Sequence, residues 1–599
     1  MAVVNDETKK RFLRRVTKRR RGALELGQQA DQKIDRLLLR RFERLVSVRR
    51  FVFLWIGLFV VLFFATFAQF RDLSRHYQSL QPVPGGLYSE GIVGTFTNAN
   101  PLYASGAADV AVSRLVFSGL FKYDTNNDLA GDMAESYNLD DTQRRYTVYL
   151  RKGITWHDGK PFTADDVVFT YQTIQTVGAQ SALYSSWQDI KVTKQDAYTV
   201  IFVLPNSLSS FPHALTNGIV PVHLLKDIPA EQLRSASFNT QPVGTGPFVW
   251  RFVEVSGSAS SATTDRRQRI TLAAFNDYWQ GRPKLDGFNF LMFSDETRLI
   301  EAFKQKQINA ISGLESTPDE LKADGALQEY ITPLTSAVMA FFNNSKPILK
   351  SLNVRKALVS SVDVRQVDRL TPYMTKKVNQ PFLRGQVGYN SGLAQLPYNT
   401  ELANKILDDE GWLRGADGQR FKDGQPLTFD LSSQDTQNYT VTAKFLQGEW
   451  AKIGVKVKVS YYDGDELQGS IIGNHDYDVL LYGISLGVDP DMFAYWDSSQ
   501  ASINSQGHLN LSEYKSSIAD QALQAGRTRI DPKLRVIKYE EFLKVWRKDA
   551  PALALYQPNS LYITRGSVFG YERQAVNSAA DRFYNVDNWM IRQKRQTTD

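Results

Sequence analysis

Few residues in this chain have the types and spacing to do chemistry. His157-Asp158 sets a base beside a carboxylate, the raw material of general acid–base catalysis. Neighbouring residues on a strand or turn point to different sides, and no nucleophile or orienting partner can be named for this pair. Its expected role is structural: Asp158-Gly159 makes a turn and His157 hydrogen-bonds locally. Asp124, Asn126 and Asp128 copy the opening of a calcium loop, but Leu129 stands where the turn glycine belongs, so a polar turn is expected. Gly244-Thr245-Gly246 runs into Pro247 and cannot open a helix that cradles phosphate. No Walker motif is present, and the six histidines show no metal-ligand spacing. The chain has no cysteine, which removes disulfides, thiolate metal sites, cysteine nucleophiles and a lipidated N-terminal cysteine. These residues ask for no enzyme, no cofactor and no metal.

The elements that would position a site are mixed. At roughly 150 residues per domain, 599 residues suggest about three or four domain-sized units. Arg145–Leu150 and Thr199–Leu204 alternate like half-buried strands. Asp165–Thr176 reads as a helix capped by Thr163, with Asp165 and Asp166 in its first turn. Glu401–Glu410 and Thr440–Ile453 read as helices closed by Gly411 and Gly454, followed by strands Val455–Tyr461 and Tyr477–Tyr482. This strand–helix–strand rhythm predicts α/β lobes. Asp417-Gly418 and Asp423-Gly424 are turn dipeptides. Ser256–Arg267 reads as a long hairpin loop between strands.

Charge is unevenly placed. Residues 1–50 hold 16 Lys/Arg against six Asp/Glu, a net of +10, so the other 549 residues carry a net of −2. The body is near neutral, and nucleic acid is not an expected partner. Phe51 to Phe70 carries no formal charge, and 20 residues span about 30 Å as a helix, enough to cross a bilayer. With the positive charge ahead of the span, residues 1–50 are expected in the cytoplasm and the body outside the plasma membrane. A cleaved signal peptide is the competing reading, against which stand the 50-residue lead and the length of the span. Ile34, Leu37, Leu38, Phe42, Leu45 and Val46, interleaved with arginines, predict a basic amphipathic helix on an anionic leaflet.

One segment is specific. Trp156–Tyr171, WHDGKPFTADDVVFTY, orders a tight turn, a proline, a threonine cap and an acidic first helical turn. It resembles the signature of the family 5 extracellular solute-binding proteins, the large peptide- and nickel-binding proteins of ABC importers. Leu115–Asp124 (LVFSGLFKYD), Asp132–Tyr137 (DMAESY), Pro242–Phe248 (PVGTGPF), Asn276–Gly287 (NDYWQGRPKLDG), Phe342–Val362 (FNNSKPILKSLNVRKALVSSV) and Leu402–Trp412 (LANKILDDEGW) are similar to further segments in the family's order. The correspondence covers roughly residues 88–592.

The resemblance implies an α/β, two-lobed clamp like the periplasmic binding proteins, with an extra inserted domain, preceded by one transmembrane helix. The implied division is a basic tail 1–50, transmembrane helix 51–70, linker 71–87, lobe I as 88–120, 241–341 and 561–592, an inserted domain 121–240, lobe II as 342–560, and a tail 593–599. Hinges are expected near Phe341–Ser345 and Asn559–Arg565. The implied function is capture of a peptide-like solute by lobe closure and delivery to ABC permease and ATPase subunits by a monomeric, membrane-anchored clamp. The alternatives are a ligand-occupancy sensor signalling through the transmembrane helix and, for want of a constellation less favoured, a membrane-bound hydrolase. The implied ligand contacts are Ser105, Tyr184, Trp187, Phe342, Asn343, Tyr482, Gly483, Ile484, Ser485, Leu486 and Asp489. Peptide binders of the family carry a tryptophan and an amine-binding aspartate after the strand corresponding to Tyr477–Tyr482. Here the tryptophan is Ile484 and that carboxylate is absent, with Leu486 or Gly487 near its place. An unpaired ammonium in a closed cleft is costly, so Asp489 must substitute, or the ligand is N-blocked, a non-peptide, or held by backbone groups. Tyr184 and Trp187 are read either as cleft walls or as core aromatics, and Asp489 either as a contact or as a helix cap.

Overall fold

The computed structural model describes residue 17 and residues 49–76, 78–256, 267–371, 373, 375–505, 509–572 and 575–597. The expected amphipathic helix of the basic tail and the interior of the 256–267 loop lie outside these residues. The chain forms two compact units, residues 1–81 with 593–599 and residues 82–592. The first contains helix Arg49–His76 and most of two paired strands, Gln78–Val83 and Arg592–Thr597. Within that helix Phe51–Asp72 is long and apolar enough to cross a membrane, with mean hydropathy 2.6.

The second unit is two-lobed. The first lobe is built on a seven-stranded sheet in the order 327–333, 559–565, 310–312, 87–93, 287–293, 267–274, 248–256. Leu87–Val93 pairs in parallel with both its neighbours, and the other pairings are antiparallel. Gly287–Phe293, GFNFLMF, is buried at every residue, as a strand covered on both faces must be. The second lobe is built on a six-stranded sheet in the order 376–377, 552–557, 336–342, 479–485, 428–434, 456–462. Period-two alternation in Ser336–Phe342 feeds two cores. Val338, Ala340 and Phe342 pack with helices Leu352–Ser360 and Gln437–Lys452. Ala337, Met339 and Phe341 pack with helices Ser517–Arg527 and Pro532–Asp549.

The chain crosses from the first sheet to the second at Leu334-Thr335 and returns at Pro558. The first crossing lies one strand before the expected hinge near Phe341–Ser345, because Ser336–Phe342 already belongs to the second lobe's sheet. A four-stranded antiparallel sheet, 134–139, 145–150, 199–203, 191–196, stands before the crossing and shares its core with the first lobe. Its helix Ala164–Ile174 begins at Thr163 with a full capping box through Asp166. Arg145–Leu150 alternates as expected. Thr199–Val203 is instead buried almost throughout, being an inner strand with Ala164–Ile174 packed on it. Asp423 and Gly424 take φ of 51° and 75°, the two left-handed positions of a tight hairpin.

One buried ion pair closes the first lobe. Glu90, fully buried in the first strand of the sheet, meets Arg582, 5% exposed and 492 residues away. Ser312 Oγ and Tyr562 Oη donate to the carboxylate at 2.9 Å each. The Arg582 guanidinium stacks 4.0 Å from the Phe583 ring centroid. Removing one partner strands a buried charge. Arg582→Met is therefore expected to cost about 3–5 kcal/mol, and the double variant Glu90→Leu/Arg582→Met to recover most of it. Thermal unfolding of the full chain in detergent checks both; equal losses in the single and double variants would deny the pair this role.

Candidate functional site

The signature at Trp156–Tyr171 is explained by what it grips. Gly244 lies so close to the first lobe's helix Ala107–Val116 that a Cβ there would sit 1.9 Å from Val116 O, and the Gly246 N–H donates to Val116 O at 2.8 Å. His157 locks this loop. Its N–H donates to Gly244 O at 2.9 Å, the Gly244 N–H donates to His157 Nδ1 at 3.2 Å, and Nε2 lies 2.9 Å from Gly246 O. With Nδ1 accepting, Nε2 carries the proton and donates, so the ring is neutral. Burial, only partly offset by the Gly246 carbonyl, lowers its pKa to about 4. Asp158 turns away and accepts from His223 Nε2 at 2.7 Å. His157 and Asp158 thus act separately, as the sequence suggests.

The other chemical candidates are also engaged locally. Asp124 Oδ1 accepts from the N–H groups of Asn126 and Asp128 at 2.9 Å each, closing its own turn. Glu135, twelfth in a loop counted from Asp124, is exposed on strand Ala134–Leu139. Among the described residues no group of three or more His, Asp or Glu is placed to hold a metal. Gly483-Ile484-Ser485-Leu486-Gly487 has the GxSxG spacing of a nucleophile elbow. Ser485 ends strand Val479–Ser485 and leads into a loop rather than a helix, and among the described residues no base hydrogen-bonds its Oγ.

The second lobe meets the 121–240 segment, which shares the first lobe's core, around Asp489. Its carboxylate is held by both terminal nitrogens of Arg535, one at 3.0 Å, and the Arg535 side chain is 4% exposed. Asp491 accepts from Arg527 at 2.7 Å, and that guanidinium lies 4.2 Å from the Phe493 ring centroid. Burial raises the Asp491 pKa against the pull of Arg527. Opposite stand Tyr123 and His213, with Tyr123 Oη 3.1 Å from His213 Nδ1. Burial lowers the His213 pKa, opposed by Asp489 and aided by Arg535. Burial raises the pKa of Tyr123 and Tyr146, with Asp489 adding to it. Tyr495, which donates to Ser485 O at 2.6 Å, is pushed up to about 12 by burial and by Tyr482. The walls touch where the Ser209 N–H donates to Arg527 O at 3.0 Å. Beside that contact a cavity of about 250 Å³ opens between Ser185, Ser186 and Ser207 on one side and Gln524, Arg527 and Thr528 on the other.

The structure distributes the expected contacts unevenly. Tyr482 stands on the second lobe, taking a hydrogen bond from Gln468. Asp489 caps no helix; Arg535 holds it. Ser105 is exposed, and Tyr184 is half-buried at the start of a short helix. Trp187 stacks on Tyr171 with centroids 4.0 Å apart and lies in the core, as do Phe342, Ile484 and Leu486. Asn343 is fully buried and bonded to His475 O and Tyr477 O. Gly483 stands against Tyr439, whose Oη a Cβ would meet at 2.8 Å. Sequence reasoning did not find Arg527, Arg535, Tyr123 or His213. Arg535 reaches Asp489 across 46 residues, a pairing no local spacing announces.

The family described as bacterial extracellular solute-binding proteins, family 5 Middle, matches residues 128–506. The oligopeptide-binding protein AppA of Bacillus subtilis is 28% identical over 526 residues, covering 85% of this chain and 92% of that protein. Its structure in complex with a nonapeptide is similar with TM-score 0.69 and 26% identity, covering 86% of this chain and 100% of that one. NikZ from Campylobacter jejuni, solved with Ni(L-His), is similar with TM-score 0.72 and 26% identity, covering 84% of this chain and 99% of that one.

His157 sets a pH dependence. The unfolded state takes up its proton near pH 6.5, whereas the folded ring resists until about pH 4. The neutral ring's stabilisation is complete above pH 6.5 and lost as pH falls to about 4, by up to roughly 3 kcal/mol. The thermal midpoint should fall over this window, and His157→Gln should flatten that slope. An unchanged slope would place the dependence elsewhere.

Proposed function

Since the chain belongs to the family 5 bacterial extracellular solute-binding proteins, we propose that it captures a peptide-like solute outside the cytoplasm and delivers it to an ABC importer. The observation that carries this reading is the pair of short crossings, Leu334-Thr335 and Pro558, that join the two sheets. Two short extended links let lobes rotate as bodies and close on a ligand. Lobe I is 88–120, 241–333 and 559–592, lobe II is 336–557, and 121–240 is inserted, with its own sheet fused to the first lobe's core.

The likeness to a nonapeptide complex supports a peptide-like ligand. The charges lining the cleft qualify how it is held. Asp489 is committed to Arg535 and Asp491 to Arg527, so a ligand ammonium finds no free carboxylate in either. Binding then rests on backbone groups and on the aromatic surfaces of Tyr123, Tyr482, Phe493 and Tyr495. The apolar helix Phe51–Asp72 serves as an uncleaved anchor, and the basic residues ahead of it keep the N-terminus in the cytoplasm.

Native mass spectrometry of the full chain released from detergent tests the ligand, followed by thermal shift with free and N-acetylated peptides. Bound peptide, or a peptide-dependent rise in midpoint, is expected. Phe493→Ala and Tyr482→Ala should each weaken binding about tenfold, the loss of one aromatic contact. No bound solute and no shift across the panel would remove the reading. The absence of native cysteine makes topology simple to test. With single cysteines at Ser47 and at Lys544, a membrane-impermeant maleimide on intact cells should label only the second. Labelling of both, or a mature mass lacking the first 50 residues, would reject the anchored topology.

A further inference from the structure

The lobes also meet behind the hinge. A loop of the first lobe, Glu315-Ser316-Thr317, follows strand Ala310–Ser312. In the second lobe, helix Gln437–Lys452 starts after Thr436, whose side chain makes no capping hydrogen bond. The first N–H groups of a helix need acceptors, and a carboxylate there also meets the positive end of the helix dipole. Glu315 supplies one from the other lobe: the Asn438 N–H donates to its Oε2 at 3.0 Å. Ser316 Oγ donates to Gln437 Oε1 at 3.4 Å. The Thr317 N–H donates at 2.9 Å to Oη of Tyr373, a residue of the second lobe just before strand Lys376–Lys377. Tyr373 Oη in turn donates to Glu329 Oε1, on the first lobe's strand Leu327–Pro333, at 3.0 Å. A cavity of about 350 Å³ adjoins the loop, lined by Glu315, Ser336, Val338, Tyr439 and Tyr556.

This contact and the Asp489 cleft lie on opposite faces of one sheet. Val338 belongs to the core on the side of helix Gln437–Lys452, whereas helix Pro532–Asp549, which carries Arg535, packs on the other side. We propose that residues 315–317 form an interlobe clasp, in which Glu315 caps the second lobe's helix while the lobes hold this arrangement. Rotating the lobes apart here strips the cap and the Tyr373 bonds together. Glu315 is then a positioning residue: it sets the balance of lobe arrangements, and through it solute affinity, without touching solute. The inference rests on the two-lobed binding reading above.

The test uses the full chain in detergent with no solute added. Spin labels on cysteines introduced at Glu301 and Lys544, both exposed, report the interlobe distance by pulsed electron resonance. Glu315→Ala and Tyr373→Phe should each reduce the population at the original distance at least about threefold, and Glu315→Gln, which keeps an acceptor, should reduce it less. Thr436→Asp supplies a cap from within the second lobe. Added to Glu315→Ala, it should restore the thermal midpoint but not the distances. Distances unchanged by Glu315→Ala, or restored by Thr436→Asp, would overturn the clasp. Because no solute enters the measurement, the clasp can fail in a protein that binds peptide, and can hold in one that does not.

Discussion

Glu90 and Arg582 meet inside the first lobe although 492 residues separate them, and the second lobe is made between them. Taking both charges out of water is expensive. It is tolerated here because Ser312 and Tyr562 donate to the carboxylate and the guanidinium lies over aromatic rings. The pair ties the strand that opens the body to the segment that ends it. Between these two residues the chain leaves the first sheet, builds the second lobe, and returns to pair antiparallel with Leu327–Pro333.

The crossings inherit their behaviour from this arrangement. Leu334-Thr335 and Pro558 are short because each joins the end of a strand in one sheet to the start of a strand in the other. Strand Ser336–Phe342 then feeds both cores of the second lobe, one per face. The second lobe is touched on two sides of its sheet, by Ser209 of the inserted segment at Arg527 and by Glu315 of the first lobe at Asn438. Both contacts join segments on either side of the crossings.

Local features of the fold were legible because they are local. Thr163 and Asp166 are three residues apart, and their capping box needs nothing else. Asp423-Gly424 makes its hairpin from its own backbone preferences. The Trp156–Tyr171 and Pro242–Phe248 segments could be matched as a set, yet the reason they occur together is a tertiary one. His157 bonds the two glycines, and the glycines leave room for the helix carbonyls behind them. Trp187 and Phe342 show the opposite limit: a large apolar residue reads the same whether it lines a cleft or fills a core, and both fill cores.

Sequence alone determined the apolar helix after a basic tail, the α/β character of the body and the family to which it belongs, since composition, periodicity and ordered motifs lie along the chain. Tertiary structure alone decided where the chain passes between the two sheets, that Asp489 is taken by Arg535, and that the Glu315 carboxylate accepts from the first turn of helix Gln437–Lys452. Each of these is a meeting of residues tens to hundreds of positions apart. Spacing along the chain carries no record of such meetings, because they are fixed by how sheets twist, pack and close.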